Sequence, residues 1–499
     1  MLTDATQRST ASGAPLEGHD AVAVIGGGIA GLVAARDLAR SGARVVLLEA
    51  EDDLGGRVRG ESIDDVSLDI GAESFATRGG AVAALLAELG MSEDIVNPAP
   101  LGSWVVTADA MRAVPLPPAG TIGIPATPLS WSTVRALGVL GACRAAVEPL
   151  LPPSVGRGGA LDEVIRARLG VRVLDRLVRP VVLGIHSTDP TAMTLRSVPG
   201  LAEAYKRRGS LILAARDLRA SRTAAGGAVA GLRGGMASLV TRLRDELDQL
   251  GVTVRTGTRV VALHRDDTPA PAASGPAAPE GKRTPGLWRI STADTAELHA
   301  DAVVLAVPEH IAARLLGRPE VTPAEVEVIA LLLEEPRLDT APRGTGALVA
   351  EVADAPAITA KALTHVTVKW PQRGAERAAG RHVLRLSYGR LGRAPETREL
   401  DESAATARAL ADASRILGLE LSPSSVRGIR RRVWTNSSIS HAEPSHPLPP
   451  GITLAGDWVS GTGLASVIPG ARRAAADTLA ARHRSASGSP QTGEVHPQR

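Results

Sequence analysis

Aromatic residues make up only 2% of this 499-residue chain, with Phe75 the sole phenylalanine and Tyr205 and Tyr388 the only tyrosines. Platforms for stacking nucleic-acid bases are therefore scarce, and Leu, Val, Ile and Ala must fill the interior. A single cysteine, Cys143, excludes an intramolecular disulfide, a CxxC redox pair and any four-thiolate zinc or iron–sulfur site. That fits a reducing, cytoplasmic setting. Lysine occurs only at 206, 282, 361 and 369, so arginine carries nearly all the positive charge. The formal net charge is +3 and the basic residues are scattered, which leaves no stripe for nucleic acid. No window holds the roughly 20 uninterrupted apolar residues of a membrane-spanning helix; contact with a membrane surface is not excluded. The first 20 residues are polar and lack the basic-then-apolar order of a secretory signal, and they read as a disordered tail.

What is present is an ordinary globular composition, 44% hydrophobic and 22% charged, over a length that suggests about three compact units. Ala21–Ile25 is a short apolar run closed by three glycines, which predicts a buried strand ending in a tight turn. A helix is expected from Ile29 to Ser41, stopped by Gly42, and a second buried strand from Ala43 to Glu49. Further on, helices are expected over 81–89, from the opening Gly234-Gly235-Met236 to Leu250, over 403–417 and from Leu464 to about Arg482, with small helical pieces over 98–153 and helices from 159 to about 219. Val252 to Leu263 reads as a strand pair bent at Gly257. Strands are expected at 288–291, 302–307 and 452–455. Asp266–Gly286, rich in Pro, Ala, Gly and Ser, reads as a long loop. Alternation from Lys361 to Trp370 predicts an antiparallel sheet over about Gly346 to Arg390, with Lys361 and Lys369 as solvated strand residues.

Gly26, Gly28 and Gly31 form G-x-G-x-x-G between a predicted strand and a predicted helix, and Glu49 ends the next strand. In that setting the first glycine makes the turn, the second admits a diphosphate against backbone and the third packs helix on strand. The helix N-terminus supplies unpaired N–H groups and partial positive charge for the diphosphate. Glu49 suits ribose hydroxyls and repels a 2′-phosphate, leaving FAD and NAD. Leu54-Gly55-Gly56-Arg57, a second glycine pair so close to the ribose acid, favours the longer FAD. Near the other end, Gly456-Asp457 closes a strand, and Thr462-Gly463-Leu464 opens the final helix, whose N-terminus would stabilise negative charge on a reduced flavin ring.

Together with Asp69–Phe75, Gly123-Ile124-Pro125, Leu177–Pro180 through Asp189-Pro190, Leu195-Arg196, Gly209–Leu211 and Leu232–Met236, these segments resemble the flavin amine oxidase superfamily. Within it they are most similar to the actinobacterial protoporphyrinogen and coproporphyrinogen oxidases of haem synthesis, from about residue 20 to about 480. The resemblance implies an α/β fold: a discontinuous Rossmann-like FAD-binding domain (20–97, 225–310 and 430–482), a helical insertion (98–224) and an antiparallel-sheet substrate domain (311–429), with tails at 1–19 and 483–499. It implies oxidation of a porphyrinogen, coproporphyrinogen III in the first place and protoporphyrinogen IX as the alternative, with O2 as acceptor and peroxide as by-product.

By the same resemblance, Gly26, Gly27, Gly28, Ile29, Ala30, Gly31, Glu49, Ala50, Gly56, Arg57, Gly71, Ala72, Glu73, Ser74, Val260, Trp434, Asp457, Thr462, Gly463 and Leu464 match cofactor contacts. Arg78 is the candidate for pairing with a substrate propionate. No metal or protein nucleophile is required, because a flavin accepts the hydride; His186, His365 and His441 are given no catalytic role. Membrane-surface contact and contact with other haem-synthesis enzymes are compatible partners. The sequence departs from the family after Trp434, where Thr435–His441 replaces the usual Pro-Gln-Tyr and Gly-His stretch. Rival readings are an oxidase or desaturase of an amine or polyene, a flavin-binding protein without turnover, and an NAD dehydrogenase.

Overall fold

The structure is a computed structural model that describes residues 21–107, 112–117, 119–156, 158–224, 229–265, 286–350, 357–373, 379–436 and 447–487. The expected N-terminal tail, the loop 266–285 and His441 lie outside these residues, as does the expected C-terminal tail beyond 487.

Five parallel strands form the first sheet in the order Thr253–Arg255, Arg44–Leu48, Ala21–Ile25, Ala302–Leu305 and Ile452–Leu454. They come from the beginning, middle and end of the chain, so the nucleotide-binding type of domain is discontinuous. The three central strands are almost wholly apolar because both their faces are covered. Val22, Val24, Val45 and Leu47 pack on one side beneath the helices Ile29–Arg40, Ala237–Gln249 and Leu464–Ser487. Ala23, Ile25, Val46 and Leu48 pack on the other against the antiparallel meander Val260–Arg265, Trp288–Thr292 and Glu297–Ala300. Residues 253–265 are therefore not a strand pair. Thr253–Arg255 edges the parallel sheet while Val260–Arg265 belongs to the meander, and Gly257 lies in the passage between the two. The terminal helix runs to Ser487, past the stop expected near Arg482.

A seven-stranded sheet follows the order Val426–Asn436, Ala324–Glu334, Arg381–Tyr388, Ala362–His365, Gly346–Ala350, Trp104–Thr107 and Ala113–Pro115. Its last two strands lie in a region expected to be helical. Val105 and Val114 face the helical core while Val106 faces the sheet's own core, an alternation too short to stand out among the surrounding prolines. Trp434, expected in the cofactor domain, is carried by an edge strand of this sheet. The strand expected over 362–370 stops at His365, and Val366–Lys369 is a helical turn in which Trp370 N–H donates to Val366 C=O at 2.9 Å. Both Val366 and Trp370 join the buried cluster beneath Val326, Val328 and Leu332.

The helical insertion packs Trp131–Ala146, Leu161–Leu169, Arg179–His186, Leu201–Arg208 and Leu211–Ala224 around its own core. At its centre Glu148 and Arg168 form a buried ion pair at 2.6 Å, and Glu148 also accepts from Leu211 N–H at 2.9 Å. The Gly209-Ser210-Leu211 motif thus holds the insertion together. Among the described residues no helix is long and apolar enough to cross a membrane.

Candidate functional site

A cavity of about 630 Å3 lies against the C-terminal ends of the parallel strands and extends to the seven-stranded sheet and the helix Arg179–His186. Ligands of open parallel sheets bind at that edge. Gly26 takes the chain off the first strand, its N–H donating to Leu48 C=O at 2.8 Å. Gly28 caps the helix Ile29–Arg40 with no side-chain hydrogen bond and no acid in the first turn, so the helix N-terminus is uncompensated. A Cβ added at Gly28 would meet no atom within 4 Å, whereas one at Gly31 would lie 1.8 Å from Gly26 O. The second glycine opens onto the cavity and the third is the contact of helix on strand.

Glu49 Oε2 accepts from Gly27 N–H at 2.6 Å and Oε1 from Glu51 N–H at 2.8 Å. Gly55 N–H donates to Gly27 C=O at 2.8 Å, bringing the second glycine pair alongside the first. Arg57 reaches across to Asp457 at 2.6 Å, so the early and late motifs meet. Behind them Asp69, at the end of the strand Val66–Asp69, accepts from Met236 N–H at 3.0 Å and Ala237 N–H at 3.3 Å, capping the helix Ala237–Gln249 from far away in sequence.

Gly26, Gly28, Ile29, Ala30, Glu49, Ala50, Gly56, Arg57, Gly71, Ala72, Ser74, Val260, Trp434, Asp457, Thr462, Gly463 and Leu464 all line the cavity. Four other sequence-predicted residues are absent from its wall. Gly27 and Gly31 act through the contacts above. Glu73 is buried and pairs with Lys369 and Arg385. Arg78 donates to Ser466 Oγ at 2.9 Å on the terminal helix, which sets its charge near His186.

The structure adds residues that sequence reasoning passed over. Lys361 and Lys369 are not solvated. Lys369 is tied to Glu73, and Lys361 lines the cavity with Nζ bonded to Ser187 Oγ and Gly389 C=O, each at 2.7 Å. Arg385 and Ser387, two apart on one strand and hence on one face, line it too, as does His186. Burial lowers the His186 imidazole to about 4, with Arg78 adding to the effect, so the ring is neutral near pH 7. Lys361 could not be singled out because its register on an apparent strand gave no sign of the helix facing it. His365 bonds His382 at 2.9 Å, buried in the sheet and outside the cavity wall.

A model of the flavin-containing amine oxidoreductase family matches residues 29–479. The chain belongs to that family. Its cofactor is accordingly a flavin, and it is an oxidoreductase with the flavin amine oxidase type of fold. Coproporphyrinogen III oxidase of Mycobacterium tuberculosis (strain ATCC 25618 / H37Rv) is 29% identical over 480 residues, covering 92% of this chain and 97% of that protein. The Staphylococcus aureus (strain NCTC 8325 / PS 47) protein of the same name is 26% identical over 391 residues, 74% of this chain and 78% of that protein. Among solved structures, one from Exiguobacterium sp. 255-15, provisionally described as a protoporphyrinogen oxidase, superimposes with a TM-score of 0.73 at 23% identity, covering 94% of this chain and all of that one. Putrescine oxidase bound to putrescine gives 0.58 at 16% identity, covering 93% and 99%.

The residues fit the cofactor. An uncapped helix N-terminus, an open Gly28 and a ribose-type acid line one wall, as a flavin dinucleotide requires. A bound flavin supplies a two-electron acceptor. The glycine turn would hold its diphosphate and the Glu49 carboxylate its ribose, and the same cavity is also lined by Val326, Val328, His186, Lys361 and Arg385.

Proposed function

We propose that this protein is an FAD-dependent oxidase that converts coproporphyrinogen III to coproporphyrin III, passing the electrons to O2 and releasing H2O2. The observation that carries the reading is the continuity of the cavity. One cavity is lined both by the dinucleotide end, at Gly28 and Glu49, and by a chamber that combines apolar Val326 and Val328 with cationic Arg385. An apolar macrocycle with acidic side chains is matched by such a lining. Matches to coproporphyrinogen III oxidases over more than nine-tenths of the chain favour this substrate over protoporphyrinogen, since the tobacco mitochondrial protoporphyrinogen oxidase matches over 39% of it. Anaerobic mixing of the purified holoprotein with each porphyrinogen, then admission of oxygen, tests the reading. Coproporphyrinogen III should bleach the flavin and yield fluorescent coproporphyrin; a flavin that no porphyrinogen bleaches would refute it.

Peripheral membrane contact is supported by one surface. The helical segment Trp131–Ala146, kinked at Gly138, exposes Trp131, Arg135, Val139 and Cys143, as does Val147 after it, with Leu140 76% and Leu150 83% exposed. Arg135 lies over the Trp131 ring, and the only acid between 112 and 153, Glu148, is buried. Exposed apolar residues with an arginine among them suit an anionic lipid surface. Sedimentation with phosphatidylglycerol vesicles should carry the protein down, and Trp131→Asp with Leu150→Asp should release it.

A further inference from the structure

One lysine of the cavity wall has no carboxylate partner among the described residues. Lys361 precedes the strand Ala362–His365, and its Nζ donates to Ser187 Oγ and to Gly389 C=O, each at 2.7 Å. Ser187 follows the helix Arg179–His186 in the left-handed conformation, φ 55°, and is itself buried. Its carbonyl accepts from Leu391 N–H at 2.8 Å, so the two acceptors are fastened to one another around the amine. Both are uncharged. A partly buried ammonium held only by neutral dipoles is disfavoured relative to the amine. Burial lowers Lys361 to about 7, Arg390 adds to the shift and Glu396 opposes it. The other ionisable groups of that wall do not compensate: His186 is neutral, and Arg385 from the neighbouring strand is engaged by Glu73.

An amine nitrogen has four tetrahedral positions, one of them the bond to its own chain. With two N–H groups committed to Ser187 and Gly389, the remaining position is a lone pair in the neutral form and an N–H in the cation. Two fixed acceptors therefore leave one defined direction for proton exchange. We propose that Lys361 is the proton acceptor of the oxidation, taking the proton that a pyrrole nitrogen of the substrate gives up as hydride leaves the adjoining carbon.

The step balances. The C–H bond at a bridging methylene breaks, and its hydrogen leaves with both electrons to the oxidised flavin. The N–H bond of the adjoining pyrrole breaks, and its electron pair enters the new conjugated double bonds. The proton forms the third N–H bond of Lys361, which returns it to water before the next round. This rests on the porphyrinogen reading above. It commits the lysine to proton transfer, not to pairing with a propionate.

The test uses the full-length holoprotein with lysine labelled at Cε with 13C, where four lysines give at most four signals. One signal should titrate near 7 and vanish in Lys361→Met. In rapid anaerobic mixing with coproporphyrinogen III, the rate of flavin bleaching should rise with pH through the same range. Lys361→Met should retain FAD, bleach about a hundredfold or more slowly and lose that pH dependence. Lys361→Arg keeps the cation but cannot release its proton at these pH values, and should be as slow as Lys361→Met. A Lys361 signal titrating near its ordinary value of about 10, a wild-type rate in Lys361→Met, or rescue by Lys361→Arg would each overturn the proposal, the last by showing that the charge alone matters. Failure of the wild-type protein to bleach with any porphyrinogen would overturn the porphyrinogen reading and take this step with it.

Discussion

Glu49 Oε2 accepts from the backbone N–H of Gly27 at 2.6 Å, joining the end of the second strand to the turn after the first. The bond places the acid beside the glycine turn. Glu49→Gln keeps the shape and removes the charge. A hydrogen bond to a charged group is worth about 1.5–3 kcal/mol, so FAD should dissociate roughly ten- to a hundredfold more readily. Titration of apoprotein with FAD, followed by quenching of flavin fluorescence, measures this; unchanged affinity would remove Glu49 from the site.

Two glycines of the same turn should fail in different ways. Gly31→Ala sets a methyl group 1.8 Å from Gly26 O, which forces the helix off the strand. Overpacking of that kind costs about 1–3 kcal/mol or more, so the apoprotein should melt earlier. Gly28 has φ −70° and open space around its missing Cβ. Gly28→Ala should therefore leave the melting temperature of the apoprotein unchanged while weakening FAD binding, because the methyl stands where a diphosphate must approach. Parallel calorimetry and FAD titration of the two variants separate folding from binding.

The same distinction explains what could be read from the sequence. Ala21–Ile25, the glycine turn and Arg44–Leu48 were legible because a parallel strand covered on both sides is apolar at every position and its turn admits few residue types. Val366 and Trp370 misled because positions four apart share a face in a strand and in a helix alike. Either structure buries both, and only the tertiary setting selects the turn. Lys361 was missed for a related reason, since its partners, Ser187 and Gly389, are far away in sequence and chemically plain. Several resembling motifs are scaffold instead of site: Asp69 caps the helix after Met236, and a Cβ at Gly123 would meet Leu177 O at 2.3 Å.

Glu73 is held between Lys369 and Arg385, with a side-chain exposure of 9% against 18% and 15% for its partners. One carboxylate thus neutralises two cations, Arg385 in the cavity wall and Lys369 outside it. Glu73→Gln would leave both without a counter-charge, and breaking a buried pair from one side costs about 3–5 kcal/mol; the partial exposure of the cations sets the expectation at the lower end. Chemical denaturation should show the loss. The double variant Glu73→Gln with Lys369→Met should recover part of it, which a packing defect would not.

His186 makes stability depend on pH in a defined direction. Burial lowers its folded value to about 4, whereas in the unfolded chain the imidazole holds its proton up to about 6.5. Between those values the unfolded state binds more protons, so stability rises with pH across the window. The contribution is fully present above about 6.5 and is lost as the pH falls towards 4. His186→Asn, which cannot titrate, should flatten that slope by as much as about 1.4 kcal/mol per pH unit. Urea unfolding of wild type and variant at several pH values across the window measures the difference. Parallel curves for the two proteins would mean that His186 titrates alike in the folded and unfolded states, and would contradict the lowering by burial beside Thr462.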